Sequence, residues 1–176
     1  MNSDLQKFGL PIDAVCGEID IRIDGKGQWH HEGSPIERIE LVGLFATILK
    51  KDADGDYWLE TPVEKMRIQV EDVPFIAVSM SAKGRGKKQS LSFEPNVGDN
   101  FKAGSDNPIR VETNAETQEP FPYVTVRDNL EAKITRSVFY DMVDLGIKHD
   151  GAFGIWSDGV FFPLGNLESA DWHDQT

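Results

Sequence analysis

The sequence predicts a strand-rich α+β protein built on an internally duplicated ββαββ unit. Residues 19–70 and 123–164 carry the same order of features: two alternating strands around a tight turn, a lone arginine, a helical segment, an Asp-Gly turn and a further hairpin. A structural unit repeated along a chain indicates duplicated architecture. Two such units usually meet across a seam, and a seam between domains is a favoured place for a ligand. We therefore expect an N-terminal lobe over residues 1–72 and a larger C-terminal lobe over residues 73–176.

The first copy opens with a strand, a turn and a return strand. Alternate positions of residues 19–23 are isoleucine, which is the period of a half-buried strand. Asp24-Gly25 then provides a turn, and Trp29 follows it. This pattern predicts a hairpin.

Arg38 precedes the predicted helix of the first copy, residues 39–50. Apolar residues recur there at spacings of three and four and give the helix one apolar face, made of Leu41, Val42, Phe45, Ile48 and Leu49. The copy is completed by a turn at Asp54-Gly55 and two strands, at residues 57–61 and 66–70. The second of these strands is predicted from its alternation of apolar and polar residues.

The second copy repeats this order. Its features are strands at residues 124–126 and 130–134 around a turn at 127–129, then Arg136, a helix at 137–146, the Asp150-Gly151 turn, and strands at 153–157 and 160–164. Outside the copies we expect a short helix at residues 4–8, a hairpin of strands 75–80 and 91–93 around the loop 81–90, a strand at 109–111, a connection over 112–122, and a frayed end around Trp172.

Charge excludes several classes of partner. The 176-residue chain has a formal net charge of −12. A protein that binds duplex nucleic acid gains affinity by neutralising phosphates with clustered Lys and Arg, and this chain has the opposite balance. The sequence therefore predicts no duplex nucleic acid and no anionic membrane as partner.

Cysteine use and the N-terminal residues indicate a cytoplasmic protein. The single cysteine, Cys16, cannot form an intrachain disulfide, and the residues after Met1 lack the basic and apolar segments of a signal peptide. The longest apolar run, near residues 41–49, is well below the ~20 residues that a membrane span needs.

Arg38 and Arg136 are the first candidate binding residues, because each stands at the same step of its copy. A guanidinium offers five donors in a planar fork, which suits phosphate or carboxylate. Two of them facing one cleft would hold an anionic ligand, and Arg127 and Tyr140 are candidates for the same cleft. The alternative is that each arginine merely pairs with a nearby carboxylate in this acid-rich chain.

Trp58 with Thr61, and Trp156 with Ser157, form the second candidate set. Each pair places an aromatic plane and a hydroxyl on equivalent hairpins of the two copies. Stacking of a base on an aromatic ring is worth about 1–3 kcal/mol, so such a tryptophan would recognise a nucleotide or a similar flat ligand. The alternative is that these rings fill the core.

Residues 83–88 form the only basic cluster in the sequence. They lack the spacing of a phosphate-binding loop and its strand-to-helix context, which favours a solvated hairpin tip or a contact with an acidic protein partner. The sequence predicts no metal site and no cofactor. Asp52, Asp54 and Asp56 do not match an EF-hand, because Gly55 stands at the wrong position, and the four histidines are scattered.

Several phrases of the sequence resemble an uncharacterised bacterial family, domain of unknown function 1285. They are Gly33-Ser34-Pro35-Ile36-Glu37-Arg38, Leu44-Phe45, residues 57–64, residues 70–75, Pro122-Tyr123, Leu130-Glu131-Ala132 and residues 154–159. The likeness spans residues 27–165. The resemblance implies a two-lobed α+β fold with internal duplication, whose second lobe superficially resembles pleckstrin-homology-like barrels. It also implies a part in signal transduction and a nucleotide-like ligand at the lobe interface.

The function expected from the sequence is therefore non-catalytic. It consists of binding a small anionic, nucleotide-like ligand between the lobes, with a regulatory role. Arg38, Arg136 and Tyr140 would hold the anion and Trp58 or Trp156 would flank the flat part. A protein-interaction adaptor without a small-molecule ligand is the alternative. The sequence contains no Gly-x-Ser-x-Gly motif and no paired nucleophile that would indicate an enzyme, and it does not decide whether any reaction is catalysed.

Overall fold

The protein is a strand-rich α+β structure, as the sequence predicted. The computed structural model describes residues 16–165, and within them the chain forms fifteen strands and two α-helices. The short helix expected at residues 4–8 and the chain end around Trp172 lie outside the described residues.

The chain folds as two compact units. The first comprises the described residues up to Pro74 together with Asp128–Leu130. The second comprises Phe75–Arg127 and the described residues from Glu131 onward. The division at Pro74 falls two residues after the end of the N-terminal lobe that we expected from the sequence.

Unit 1 is one six-stranded sheet with one helix. Its elements are β1 (Cys16–Ile23), β2 (Trp29–His31), β3 (Ser34–Pro35), α1 (Ile39–Thr47), β4 (Leu49–Lys51), β5 (Tyr57–Glu60) and β6 (Lys65–Val70). The strand order is β3-β2-β1-β6-β5-β4. The first and last strands, β1 and β6, run parallel, and the other neighbours are antiparallel.

The core of unit 1 joins the sheet to α1. Ile21 and Ile23 alternate onto the buried face of β1, and Trp29 pairs opposite Ile23 on β2. Phe45, on the apolar face of α1, stacks against Trp29 with ring centroids 5.9 Å apart. All four side chains are almost fully buried, so this contact fixes the helix on the sheet.

Helix α1 ends at Thr47, three residues before the end that we predicted. Ile48 and Leu49, which we placed on the helix, instead lead into β4, where Leu49 pairs with Leu59 of β5 and is fully buried. The helix was predicted too long because apolar residues are buried both on the inner face of a helix and in the strand that follows it. The spacing of apolar residues alone does not distinguish these two structures.

Unit 2 contains two sheets. Its elements are β7 (Phe75–Lys83), a single 3-10 turn (Gly86–Lys88), β8 (Ser90–Pro95), β9 (Phe101–Lys102), β10 (Ile109–Thr113), β11 (Pro120–Arg127), β12 (Leu130–Ile134), α2 (Arg136–Asp144), β13 (Ile147–His149), β14 (Ala152–Ser157) and β15 (Val160–Gly165). Only the first residue of β12, Leu130, is grouped with unit 1. One sheet has the order β10-β11-β12-β7-β8-β9 and the other β13-β14-β15. Strand β7 extends to Lys83, so the β7–β8 hairpin is longer than predicted.

The duplication is present with one strand more than predicted. Each copy contains a hairpin (β1–β2 or β11–β12), a helix, and a meander of three strands (β4–β6 or β13–β15), so the shared repeat is ββαβββ, and the first copy has the additional short strand β3 before its helix. The copies also differ in the strands with which their hairpins pair. The meander of the first copy closes onto its own hairpin through β6 and β1, whereas the hairpin of the second copy takes β7 as its parallel neighbour and its meander forms a separate sheet.

Candidate functional site

Unit 2 contains a pocket at the start of helix α2. This α2 pocket has a volume of about 350 Å³ and lies between the ends of β11 and β12 and the first turns of the helix. Its lining includes Glu119, Phe121, Lys133, Arg136 and Tyr140. The pocket therefore brings together two of the predicted residues, Arg136 and Tyr140.

The local sequence explains how helix α2 presents these side chains. Thr135 is the N-cap residue, and its side chain accepts a hydrogen bond from the backbone N–H of Val138. Val138, Phe139 and Met142 form the buried face of the helix. Arg136 and Tyr140 lie outside this buried face, and Tyr140 is 52% exposed.

The charges of the α2 pocket favour an anion. Arg136 Nη2 donates to Glu119 Oε1 at 2.7 Å, and both side chains are well exposed. The Nζ of Lys133 lies 5.5 Å from the ring centroid of Phe121. Among the described residues that line the pocket there are thus two cations and one carboxylate.

Arg38 lines a smaller pocket of about 240 Å³ in unit 1, at the start of helix α1. This α1 pocket has an apolar floor that includes Leu41 and Phe45, with His31 and Glu37 also in its lining. Arg38 is the N-cap residue of α1, whereas Arg136 is the first residue of α2, so the two arginines differ by one position. Each is described within its own unit, and a single cleft shared by both stays a prediction.

Lys133 and Phe121 were not among the predicted site residues. Lys133 lies between Ala132 and Ile134, which are both buried, so it projects to the opposite face of β12. This alternation was visible in the sequence and could have identified it. Phe121 was missed because it lies between two prolines and was assigned to a connecting loop, although residues 120–127 form β11.

Trp58 and Thr61 belong to the hairpin structure of unit 1. Trp58 Nε1 donates to Asp52 Oδ2 at 2.8 Å, and the Nζ of Lys65 lies 4.4 Å from the ring centroid of Trp58. The Thr61 hydroxyl accepts from the backbone N–H of Glu64 at 3.0 Å and so closes the turn between β5 and β6. Neither residue lines the α1 or the α2 pocket.

Trp156, Ser157 and Arg127 lie elsewhere in unit 2. Trp156 packs against His149 and Phe161, with ring centroids 5.0 and 5.3 Å away. Ser157 is fully buried, where its hydroxyl accepts from the N–H of Leu91 and donates to the carbonyl of Ala103. Arg127 is the last residue of β11. None of the three lines the two pockets described above.

The Trp58–Asp52 contact predicts a pH dependence of stability. The hydrogen bond from Trp58, with those from the N–H groups of Asp56 and Asp54, lowers the pKa of Asp52 below its usual value. A carboxyl with a lowered folded-state pKa stabilises the fold above its unfolded-state pKa, and this contribution is lost as the pH falls through the lowered value. Asp52→Asn is therefore expected to destabilise at pH 7 and to approach the wild type below about pH 4.

Urea denaturation of both proteins at pH 7 and pH 3, followed by tryptophan fluorescence, measures this difference. Asp54→Asn, whose side chain is exposed, is the matched control and should leave the stability unchanged at both pH values. An Asp52→Asn effect of equal size at pH 7 and pH 3 would contradict the assignment.

Two negative findings hold for residues 16–165. No helix there is both long and apolar enough to cross a membrane. No group of three or more His, Cys, Asp or Glu side chains in the same part of the chain is arranged to hold a metal ion.

The fold and the pockets define a class: duplicated, strand-rich α+β proteins of two domains, with a pocket at the helix start of each copy. Comparison with protein families places the chain further. The N-terminal domain described as domain of unknown function DUF1285 matches residues 12–73, and the C-terminal domain of the same family matches residues 74–164. The chain belongs to the DUF1285 family, and the resemblance seen in the sequence is confirmed.

Solved structures agree with this assignment. A DUF1285 family protein from Silicibacter pomeroyi DSS-3 is 47% identical, with a TM-score of 0.84 over 90% of this chain and 87% of that chain. A second, from Shewanella baltica OS155, is 26% identical, with a TM-score of 0.56 over 70% of this chain and 90% of that chain. No significant match is found among curated proteins.

Proposed function

We propose that this protein binds a small anionic ligand with a flat group, such as a nucleotide, in the α2 pocket, and that this binding serves regulation rather than turnover. The observation that carries the proposal is the placement of two cations and two aromatic rings around one pocket: Arg136 and Lys133, with Phe121 and Tyr140. Its volume of about 350 Å³ suits a compact ligand of this kind.

Arg136 supplies the anion contact. Its ion pair with Glu119 joins two exposed side chains, and pairs of this kind contribute only about 0–1 kcal/mol. A ligand phosphate or carboxylate that forms two parallel hydrogen bonds with the guanidinium therefore displaces Glu119 at little cost. The start of α2 adds the positive end of the helix dipole to the same place.

The aromatic rings supply the contact with the flat group. Phe121 lies on β11 and Tyr140 on α2, so two different elements border the pocket with aromatic side chains. Stacking of a base on one such ring contributes about 1–3 kcal/mol. In this proposal these two rings take the part that the sequence assigned to Trp58 or Trp156.

Titration calorimetry with a panel of adenine and guanine mono-, di- and cyclic nucleotides tests the proposal. We expect Arg136→Ala to weaken binding at least about tenfold, the ordinary size of a lost charge-assisted hydrogen bond. Arg67→Ala is the matched control, because Arg67 is also an exposed arginine that pairs with a carboxylate, Asp56. Equal affinities for Arg136→Ala and Arg67→Ala, or no binding by the wild type across the panel, would refute this site.

Glu119→Gln is expected to strengthen ligand binding in the same assay, whereas Arg136→Ala is expected to weaken it. The substitution removes the one carboxylate among the lining residues and releases Arg136 from its ion pair. We therefore expect the anionic ligand to bind several-fold more tightly, since like charge next to a bound anion is unfavourable. Weaker binding by Glu119→Gln would show that the carboxylate contacts the ligand itself.

Two further measurements define the extent and nature of the site. Arg38→Ala tests the prediction that the α1 pocket takes part: weaker binding of the same ligand would support a shared site, and unchanged binding would restrict the site to the α2 pocket. Mass analysis of the nucleotides after prolonged incubation with the protein tests the regulatory assignment, since formation of a product would replace it with an enzymatic one.

A further inference from the structure

The β7–β8 hairpin ends in an unusual group of cations, here called the basic tip: Lys83, Arg85, Lys87 and Lys88. All four side chains are exposed on a chain whose formal net charge is −12. Four arginines elsewhere in the described chain pair with carboxylates: Arg22, Arg67, Arg110 and Arg136. Within residues 16–165, by contrast, no carboxylate forms an ion pair with any cation of the basic tip.

The tip is held in a fixed conformation. Gly84 has a φ of +78°, and a Cβ at this position would approach the carbonyl oxygen of Lys88 to 2.6 Å. Gln89, at the base of the tip, is buried and its Nε2 donates to the backbone oxygen of Trp156 at 3.0 Å. The cations therefore project from an ordered turn, which reduces the entropy that a partner's binding would cost.

Strand β7 has an open edge beside this tip. Strand β12 pairs with β7 only along Phe75–Ala77, and it ends where the N–H of Thr135 donates to the oxygen of Ala77. Among the described strands, only β8 pairs with β7 from Ser79 to Lys83. No described strand covers the other side of this segment, and although helix α2 contacts β7, the residues Ser79, Ser81 and Ala82 are exposed.

Hydrogen bonds on β8 show which main-chain groups face the open side. The N–H of Leu91 donates to Ser157 Oγ, and its C=O accepts from Ala103, so both groups point away from β7. Leu91 lies opposite Ala82, and in an antiparallel ladder such a pair exchanges no hydrogen bonds. The N–H and C=O of Ala82 therefore point away from β8, and those of Met80, two residues earlier, do the same.

We propose that this β7 edge, defined by the outward main-chain groups of Met80 and Ala82, binds an extended acidic segment of a partner protein. The segment adds one strand to the sheet by hydrogen bonding to these groups, and its carboxylates lie over the basic tip. Strand addition of this kind gives affinity through the main chain and specificity through side chains. A peptide strand matches the edge's alternating donors and acceptors, whereas an extended polyanion such as nucleic acid would also meet the acidic remainder of the chain.

Fluorescence anisotropy with a defined probe tests the proposal. The probe is a labelled, end-capped decapeptide of six alternating valines and threonines followed by four glutamates. We expect Ala82→Pro, which removes an outward N–H without breaking the β7–β8 ladder, to weaken binding at least about tenfold. Ala82→Thr, which keeps the N–H, should bind as the wild type does.

Charge reversal tests the tip. Arg85→Glu with Lys88→Glu should weaken binding at least about tenfold. Lys102→Glu with Lys148→Glu, a reversal of equal size at two other exposed lysines of unit 2, should have a much smaller effect. A probe with N-methyl groups at alternate residues blocks strand pairing from the ligand side and should fail to bind the unaltered protein, which keeps the test valid if Ala82→Pro folds poorly.

Several outcomes would overturn the proposal. These are no binding of the probe, unchanged affinity in the tip variant, or full binding by the N-methylated probe. Tighter binding of single-stranded DNA or of phosphatidylserine vesicles than of the acidic probe would assign the tip to a different partner. Dimerisation in sedimentation experiments that is abolished by Ala82→Pro would assign the edge to a second copy of this chain.

Discussion

Trp29→Ala is expected to lower the free energy of unfolding by about 3–5 kcal/mol, as large-to-small changes of buried aromatic residues do. Trp29 is 1% exposed, stacks on Phe45 and pairs opposite Ile23, so its removal leaves a cavity between the sheet of unit 1 and α1. Urea denaturation followed by circular dichroism measures the loss. A change below about 1 kcal/mol would show that the helix is not held by this contact.

Trp29→Phe is the matched variant. Within the described residues the indole Nε1 is buried and donates to no acceptor, so the tryptophan carries an unpaired polar group that phenylalanine lacks. We therefore expect Trp29→Phe to keep most of the packing and to cost less than about 1.5 kcal/mol. A loss as large as that of Trp29→Ala would mean that Nε1 itself contributes to stability.

Ser157→Ala is expected to have the second largest effect, about 2–4 kcal/mol, because two buried main-chain groups would lose their partner. The Ser157 hydroxyl accepts from the N–H of Leu91 at 2.9 Å and donates to the oxygen of Ala103 at 2.7 Å. It thus connects β14 to β8 and to the residue after β9. The same denaturation experiment measures the loss.

Ser90→Ala is the control for this prediction. Ser90 Oγ is also buried, yet it has no hydrogen-bond partner among the described residues. Its removal should therefore be neutral or slightly stabilising. Equal losses for Ser90→Ala and Ser157→Ala would contradict the part assigned to the Ser157 hydroxyl.

The fold was largely predictable from local patterns, while the partners of each strand were not. Alternation in β1 and β6 and the Asp-Gly turns identified strands and hairpins, because these signals depend on neighbouring residues. The strands that follow each helix, β4 and β13, were missed, since three-residue strands have too few positions to show a period. The parallel pairing of β12 with β7 joins residues far apart in sequence and left no local signal.

The candidate site was predictable in part for the same reason. The repeat identified Arg38 and Arg136, and each lies beside a pocket at a helix start. The repeat equally selected Ser157 and Trp58, whose polar groups are used within the protein. Equivalent positions in a duplication therefore indicate residues that occupy the same place in each repeat. Only the packing around each residue shows whether its side chain remains accessible to a ligand.

The parallel pairing of β1 with β6 has a consequence for synthesis on the ribosome. Strand β1 is the first strand of unit 1, and its parallel partner β6 (Lys65–Val70) is the last strand of that unit. The chain between β1 and β6 must close into a loop before the two strands can pair, and long-range pairings of this kind form slowly. The nascent chain therefore leaves the N–H and C=O groups along one edge of β1 unpaired until β6 has left the exit tunnel, and during this interval a chaperone that binds extended segments has its clearest opportunity to act.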